Sequence, residues 1–245
     1  MPYDTAITVT SFGLLVASEL AKGDLAPGHC RWCDTTNDGR DALNPVDRGA
    51  RSALRWSDPR IPGYASDTLA ILGAPIVSFG GLGVAASDDG TPTRTPVDAL
   101  IVAEAVGVGT LVTQVVKFVA ARQRPYAHAG AMKPEALGVS PEAQRKDDNL
   151  SFYSGHTSLT FTLATASGTV ASLRGYSLAP AIWSAGLGVA ALAGWLRIAA
   201  DKHYLSDVLV GAVAGSLAGV LLPVLFHGRR DPVAGPVIDP TAAGQ

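Results

Sequence analysis

Charged residues are scarce in this sequence, since Asp, Glu, Lys and Arg make up only 16% of its 245 residues. Soluble domains usually carry about 25%, so we expect much of the surface to lie away from water. The formal net charge is −2, and a chain without a basic excess is poorly suited to binding polyanions. The composition therefore argues against nucleic acid as a partner and allows one sizeable domain.

Cysteine is nearly absent as well. The two cysteines, Cys30 and Cys33, are separated by Arg and Trp. One such pair cannot fill a four-ligand zinc site with sulfur, and no nearby pair of histidines completes one, although His29 is adjacent. A disulfide in an oxidising compartment, a redox pair and two free thiols all fit this spacing.

Long stretches with few charges dominate the rest of the chain. They cover residues 67–86, 97–120, 157–173, 175–196 and 208–226. Each is close to the roughly 20 residues that span a bilayer as a helix, which is hard to reconcile with a soluble protein. Gly211, Gly215 and Gly219 recur at every fourth residue, a spacing that lets membrane helices pack closely. The alternative is a large soluble all-α domain with buried helices.

A shorter apolar segment, residues 6–20, has no basic region before it and is therefore a poor signal peptide. We expect it to be a further membrane helix. The predicted fold class is all-α, an integral-membrane helical bundle of about six transmembrane helices. In this division, residues 1–65 form an N-terminal helix and polar loop, residues 66–227 form the membrane core, and residues 228–245 form a disordered tail rich in Pro, Gly and Ala.

The polar loop contains one predicted helix. Asn44 and Pro45 match an N-cap followed by proline at the first helical position. An apolar stripe follows, and Arg48, Arg51 and Arg55 lie beside it. This pattern suits a helix lying on a membrane surface, and it suits a short helix packed on protein equally well.

The segment from Arg197 to Asp207 places its polar residues where one apolar run ends and the next begins. His203 and Asp207 are four residues apart, so on one helix they would share a face. An aspartate there can accept a hydrogen bond from one imidazole nitrogen and leave the other nitrogen free for attack. Arg197 can grip an anion in front of the histidine. Taken alone, the segment fits a simple polar turn between helices equally well.

Connection 121–156 is expected on the same side of the membrane as that segment. At its beginning, Lys117 and Arg124 lie seven residues apart, two turns along one helical face. Pro125 follows and disfavours helix at Arg124. A basic pair at the end of a membrane helix is also typical of a simple interfacial anchor.

The same connection ends with Tyr153-Ser154-Gly155-His156, directly before an apolar run. Ser154 and Gly155 offer a hydroxyl and unobstructed amides at a helix N-terminus, where anions bind readily. His156 beside them is a candidate acid for a leaving oxygen.

Together the segments predict a phosphate cage facing two histidines. Its members would be Lys117, Arg124 and Arg197 as cations and Ser154 and Gly155 as neutral donors. The sequence holds no cluster of Asp and Glu that suggests magnesium and no His-x-x-x-His pair that suggests zinc. We therefore expect no metal and no cofactor, with positive charge stabilising the equatorial phosphoryl oxygens.

The three segments resemble the signature of the type-2 phosphatidic acid phosphatase superfamily, which also includes bacterial acid phosphatases and vanadium haloperoxidases. The family pattern is Lys-x6-Arg-Pro, then Pro-Ser-Gly-His, then Ser-Arg-x5-His-x3-Asp. The resemblance covers residues 117–207, and the helix pattern extends it to about 66–226. It implies a helical core like that of the acid phosphatases and haloperoxidases.

By this resemblance, His203 attacks phosphorus to form a phosphohistidine, while Asp207 holds and polarises it. His156 protonates the leaving group and then helps to activate the hydrolytic water. The phosphoryl oxygens would be held by Lys117, Arg124, Ser154, Gly155 and Arg197.

Two positions depart from the family pattern. Tyr153 stands where proline is usual, and Leu196 stands where serine is usual. Neither is a group that makes or breaks bonds, so we expect activity to survive with an altered fit to substrate. Arg122 falls between motif positions and is expected at the surface.

The resemblance implies a lipid phosphatase acting on a phosphomonoester or pyrophosphate of the phosphatidic acid, phosphatidylglycerol phosphate or polyprenyl diphosphate class. Alternatives are a lipid phosphotransferase and a soluble acid phosphatase or vanadate haloperoxidase with the same site. We expect an integral protein of a bacterial inner membrane. Cys30 and Cys33 fall on the same side as the site and suit an oxidising periplasm, which favours an extracytoplasmic active site. A count of Lys and Arg would make that side cytoplasmic, but several of those charges are expected to bind phosphate, so the count is biased.

Overall fold

The computed structural model describes residues 2–36, 38–128 and 140–228. Its long helices are α1 (Pro2–Leu20), α4 (Arg60–Asp88), α5 (Thr95–Ala120), α7 (Gly155–Arg174), α8 (Ala179–Ala199) and α9 (Leu205–His227). Three short helices connect them, α2 (Lys22–Leu25), α3 (Pro45–Leu54) and α6 (Pro141–Asp147). Residues 229–245, predicted to be a disordered tail, lie outside the described residues.

Four of the helices are long and apolar enough to cross a membrane by length and composition. They are Arg60–Asp88, Pro92–Ala120 (α5 with a short 3-10 turn before it), Ala179–Ala199 and Leu205–His227. The remaining two long helices, α1 and α7, have 19 and 20 residues, but fall outside that set. The all-α membrane fold is confirmed, with four spans that meet the criterion where about six were predicted.

Helix α7 lies at the centre of the bundle, against α5, α8 and α9. This position explains its polar composition, because its hydroxyl groups meet protein and not lipid. The Thr162 hydroxyl donates to the Ser158 carbonyl at 2.8 Å, and the Ser167 hydroxyl donates to the Leu163 carbonyl at 2.8 Å. A polar side chain can thus be buried at depth without an unsatisfied hydrogen-bonding group.

The glycine face of α9 packs directly on α7, as its spacing predicts. A Cβ atom on Gly211 would lie 2.8 Å from the Ser154 carbonyl oxygen, and one on Gly215 would collide with the Ser158 carbonyl. Close contact of two backbones needs residues without side chains. It holds the N-terminus of α9 beside the N-terminus of α7.

The two polar connections meet at one end of the bundle, where they were predicted to emerge together. The Tyr126 amide donates to the Asp201 carbonyl at 3.2 Å, and the Ser154 amide donates to the Asp207 carbonyl at 3.1 Å. This end contains the C-termini of α5 and α8 and the N-termini of α7 and α9.

Helix α3 begins as predicted, with Pro45 at its first position and the Asn44 side chain accepting a hydrogen bond from the Asp47 amide at 2.9 Å. It packs on α8 and α9 through its polar side, since Asp47 is fully buried. Val46, on the apolar stripe, is 65% exposed. The helix therefore packs on protein through its polar side, and the membrane-surface alternative stays a prediction for its exposed apolar side.

Candidate active site

His203 is buried in the loop between α8 and α9. Its Nδ1 lies 2.8 Å from the Ser151 carbonyl oxygen, which places the ring proton on Nδ1. Its Nε2 is buried and has no hydrogen-bond partner among the described residues. Burial, together with the charges of Arg124, Arg197 and Lys117, lowers the pKa of His203 well below its ordinary value. The neutral ring therefore presents a free lone pair on Nε2.

Asp207 does not orient His203 by the direct hydrogen bond that the spacing suggested. Its Oδ2 is 3.8 Å from Nδ1, because α9 begins only at Leu205 and His203 lies before the first turn. The same Oδ2 accepts from the Ser151 hydroxyl at 2.6 Å and from the Tyr204 amide at 3.0 Å. Asp207 thus acts on His203 through Ser151, whose carbonyl holds the imidazole.

Lys117 reaches the site from the last turn of α5. A Cβ atom on Gly155 would lie 3.0 Å from the Lys117 ammonium nitrogen, so the glycine leaves the space into which the lysine extends. The ammonium group therefore lies at the N-terminus of α7, where the first amides of the helix have no partner within it. Both groups favour an anion at this point.

Arg124 and Arg197 approach from the two connections, and both are almost fully buried. The Arg124 Nε donates to the Asp147 carbonyl at 2.9 Å, while its Nη2 is 3.7 Å from the Asp147 carboxylate. Arg197 donates from Nη1 to the Ser66 hydroxyl at 3.0 Å and to Asp67 at 2.8 Å. The Arg197 Nε is buried without a partner among the described residues, so it is free to donate to a bound anion.

Ser154 is the N-cap of α7, and its hydroxyl is used inside the helix. It lies 2.8 Å from the Thr157 hydroxyl and accepts from the Thr157 amide at 3.4 Å. It was predicted as a phosphate ligand, but in this structure it shapes the helix start that presents Gly155. The reason is local, because serine at an N-cap satisfies an amide that the helix leaves unpaired.

His156 faces a residue that sequence reasoning missed. Its Nε2 lies 2.9 Å from the carboxylate of Asp67, which is also the carboxylate that Arg197 contacts. Asp67 comes from α4, 50 residues before the first motif residue, so no motif spacing pointed to it. Its carboxylate holds a proton on Nε2 of His156 and links the histidine to the cation cluster.

Arg122 is completely buried, and its predicted surface position is wrong. Its guanidinium donates to Asp34 at 2.9 Å, to Asp47 at 2.9 Å and to Asp207 at 2.7 Å. The rings of Trp32 and Tyr204 lie on it, each with its centroid 4.2 Å away. Burial alone would lower the pKa of Arg122, but these carboxylates raise it. Carboxylates from three separate segments neutralise the guanidinium, and this offsets the free-energy cost of burying it.

The N-terminal loop supplies part of this network. In the structure Cys30 and Cys33 are joined by a disulfide, and the chain between them runs along the first connection. The Arg31 amide donates to the Ala121 carbonyl at 3.0 Å. The cysteine pair therefore lies at the same end of the bundle as His203.

Lys202 is a further cation at the site that the motif comparison did not single out. It is half-buried directly before His203, and its ammonium nitrogen is 5.3 Å from the centre of the Tyr126 ring. Burial and the neighbouring Arg124 and Arg197 lower its pKa to about 8. The described residues show no carboxylate in ion-pair contact with it, so an anion in the site would be its natural partner.

The two departures from the motif are both buried side chains. Tyr153 is 5% exposed, and its hydroxyl accepts from the Thr113 hydroxyl at 3.2 Å. Leu196 is 6% exposed and precedes Arg197 on α8. Tyr153 thus braces the start of α7 against α5.

A second polar group lies at the other end of α9. Asp4, Glu104 and His227 have potential metal-ligand atoms within 4.8 Å of one another. His227 already pairs with Glu104 at 3.1 Å. Because α9 is 23 residues long, at about 1.5 Å per residue this group is roughly 35 Å from His203 and plays no part in its site.

Comparison with known proteins gives a match to a protein family. No curated protein sequence matches the chain. A family model described as the PAP2 superfamily matches residues 98–231, a region that contains all three motifs and more than half of the chain. With the motif cations and histidines brought together at one end of the bundle, this chain belongs to the PAP2 superfamily.

Proposed function

We propose that this protein is a metal-independent phosphatase that hydrolyses a phosphomonoester or pyrophosphate on a membrane lipid through a phosphohistidine. Its family supports a phosphatase-type activity. The observation that carries the finer proposal is the unpartnered Nε2 of His203, held neutral among several cations.

In the first step, the Nε2 lone pair of His203 attacks phosphorus while the Nδ1 proton stays on the Ser151 carbonyl. His156 takes up a second proton when the anionic phosphoryl group binds beside it. The bond from phosphorus to the leaving oxygen then breaks, and His156 gives that oxygen one proton and becomes neutral. In the second step, water attacks phosphorus, His156 takes a proton from it, and the bond from phosphorus to Nε2 breaks. Phosphate leaves and His203 returns to its neutral form.

The cations stabilise the charge that builds on the equatorial oxygens. Lys117, Arg124 and Arg197 are in place before substrate arrives, so they need little reorganisation during the reaction. Asp67 holds the Nε2 proton of His156 and aims its ring, while burial and the neighbouring Arg197 lower the pKa of His156 to about 4 in the free protein. Ser151 with Asp207 keeps His203 in the reactive tautomer. We assign positioning roles to Asp67, Ser151 and Asp207.

A lipid substrate is favoured by the location of the site. His203 lies where four helices of the bundle end, and the length and composition of the apolar spans support a membrane boundary at that end. A phosphorylated headgroup can enter there while its tail stays in the bilayer. The disulfide at the same end supports an extracytoplasmic, oxidising side.

The test is phosphate release in detergent, with EDTA present, from phosphatidic acid, phosphatidylglycerol phosphate and a polyprenyl diphosphate. Wild type is compared with His203→Ala and with His29→Ala, which changes an exposed histidine outside the site. We expect release by wild type and by His29→Ala, and a loss on the order of 10³-fold or more in His203→Ala.

Each contrary result has a defined meaning. Release that persists in His203→Ala would show that another group is the nucleophile. Loss of activity with EDTA would contradict metal independence. Transfer of the phosphoryl group to an added alcohol, in place of release, would identify a phosphotransferase.

A further inference from the structure

A cavity of about 370 Å³ lies beside α3, separate from the residues of the active site. Its walls carry three arginines, Arg48, Arg51 and Arg55, together with Asp41 and His128. The arginines are three and four residues apart, so they lie on one face of the helix and at its C-terminal end. Every wall residue is among the described residues.

The arginines have more hydrogen-bond donors than the structure uses. Arg51 is satisfied by Asp201, with two hydrogen bonds of 2.7 Å. Within the described residues, Arg48 uses only one terminal nitrogen, at 3.0 Å from the Leu43 carbonyl and 3.1 Å from Asp41. A guanidinium carries five N–H donors in a fixed fork, which leaves the others of Arg48 free for a ligand.

Arg55 is the least compensated of the three. Its nearest carboxylate oxygen, on Asp201, is 3.7 Å away, beyond hydrogen-bond distance. Its side chain is 47% exposed and makes no hydrogen bond within the described part of the chain. Among the described residues, the three arginines thus share two carboxylates, Asp41 and Asp201, which leaves an excess of one positive charge.

His128 adds a buried polar atom to the same wall. It is 2% exposed, and its Nε2 lies 3.1 Å from Asp41. Its Nδ1 has no hydrogen-bond partner among residues 2–36, 38–128 and 140–228. An unpaired buried nitrogen is unusual. Because Nε2 faces a carboxylate, Nδ1 of the neutral ring is an acceptor, and it suits a hydroxyl carried by the ligand, such as that of a singly protonated phosphate. This is a second sign, independent of the arginines, that a ligand belongs here.

We propose that this cavity is a second anion site that binds a phosphate-bearing group. A phosphate or phosphodiester offers the tetrahedral oxygens that arginine forks bind best. Two exposed apolar side chains follow the arginines in the chain. Trp56, which is 39% exposed, lies just before membrane span α4, and Ile61, which is 58% exposed, lies in its first turn. The headgroup of an anionic lipid and free phosphate share this chemistry.

The proposal does not depend on the proposed function. Asp201, which Arg51 holds, lies between Arg197 and His203 in the active-site loop, so the cavity adjoins that loop. The cavity nevertheless shares no lining residue with the catalytic set. A catalytically silent protein would still bind the anion.

The experiment compares wild type with Arg48→Gln/Arg55→Gln. The matched control is Arg40→Gln/Arg60→Gln, which removes the same charge from two exposed arginines that pair with Asp38 and Asp58 outside the cavity. In one arm, calorimetry in neutral detergent follows binding of inorganic phosphate. In the other, mass spectrometry counts phosphatidylglycerol retained after purification from phosphatidylcholine nanodiscs containing it.

We expect a phosphate-binding event in wild type and the control that is weakened at least tenfold in the cavity variant, whether or not the active site adds a second event. Loss in the phosphate arm identifies free phosphate as a ligand, and loss of retained lipid identifies a headgroup. Equal behaviour of the cavity and control variants in both arms overturns the proposal. Arg51 is left intact to preserve the fold, and the single change Arg55→Gln repeats the test if the double variant unfolds.

Discussion

Two charged clusters adjoin the segment from His203 to Asp207, and their charges are balanced in opposite ways. The front cluster has the cations Lys117, Arg124, Arg197 and Lys202 and the carboxylates Asp67 and Asp147. The back cluster has one cation, Arg122, and the carboxylates Asp34, Asp47 and Asp207. The front therefore carries an excess of positive charge, and the back an excess of negative charge.

This difference assigns ligand binding to the front cluster and stabilisation of the fold to the back cluster. In the back cluster, Asp47 is contacted by Arg122, the Ser206 hydroxyl and the Asn44 side chain. In the front cluster, the Nε of Arg197 and the Nε2 of His203 have no hydrogen-bond partner within the described chain. Buried charged groups whose hydrogen bonds are all made within the protein hold segments together. Buried donors and acceptors without a partner are available to bind a ligand.

The largest effect is expected in the back cluster, from Arg122→Met. This change leaves Asp47 and Asp207 buried without their cation, which costs about 3–5 kcal/mol. Denaturant unfolding in detergent should show the loss, while Arg60→Met, at an exposed pair with Asp58, should leave stability nearly unchanged. If Arg122→Met is as stable as wild type but inactive, the back cluster belongs to the catalytic machinery and the comparison fails.

The next effect is expected in the front cluster, from Lys117→Met. Its ammonium has no hydrogen bond or ion pair within the described residues, so the folded state should keep its stability. Because a cation at the transferring phosphoryl group is lost, kcat/KM should fall by about 10²–10³-fold. Steady-state kinetics and a melting curve on the same sample test both halves of this prediction. A large drop in melting temperature would place Lys117 with the structural cluster.

Lys202 should have a smaller effect that depends on pH. Its lowered pKa of about 8 means that it loses its charge as the pH rises through that value, so kcat/KM should fall on the alkaline side. Lys202→Arg keeps the charge at high pH and should remove that fall, whereas Lys202→Met should cost about tenfold at neutral pH. If kcat/KM still falls at alkaline pH in Lys202→Arg as it does in wild type, another group causes that fall.

The acid side of the same profile reports on His203. Its pKa is lowered from the ordinary 6.5, so the ring stays neutral at pH 7 and gains a proton only at lower pH. The acid limb of kcat/KM should therefore lie below 6.5. Lys117→Met removes one of the cations that lower this pKa and should move the limb upward, and a limb that stays in place would show that the front charges do not act on His203.

The smallest effect concerns the loop that carries Asp34 and Trp32 to the back cluster. With Cys30 and Cys33 joined, maleimide should label neither thiol until a reductant is added. Labelling without reductant would show that the pair is reduced in the purified protein. The disulfide would then not support an oxidising side for the active site.

Much of this molecule was readable from local sequence. Charge-free runs predicted the long helices, and the spacing of Gly211, Gly215 and Gly219 predicted the contact with α7. Asn44 and Pro45 predicted the start of α3. These features depend on neighbours in the chain, so helix periodicity and capping are enough to find them.

The motif residues came together as their order suggested, but their partners did not follow from spacing. Asp207 was expected to bond His203 directly, yet its oxygens are taken by Ser151, Tyr204 and Arg122. A four-residue interval places two side chains on one face only inside a helix, and the helix starts after His203.

The sequence by itself determined an all-α membrane bundle and the set of histidines and cations that meet at one end. Only the tertiary structure decided which charges are compensated. Arg122 is buried because Asp34 and Asp47, far away in the chain, close around it, and His156 is held by Asp67 from another helix. The free energy of a buried charge depends on all groups within a few ångströms. The order of residues in the sequence does not show which distant residues come that close.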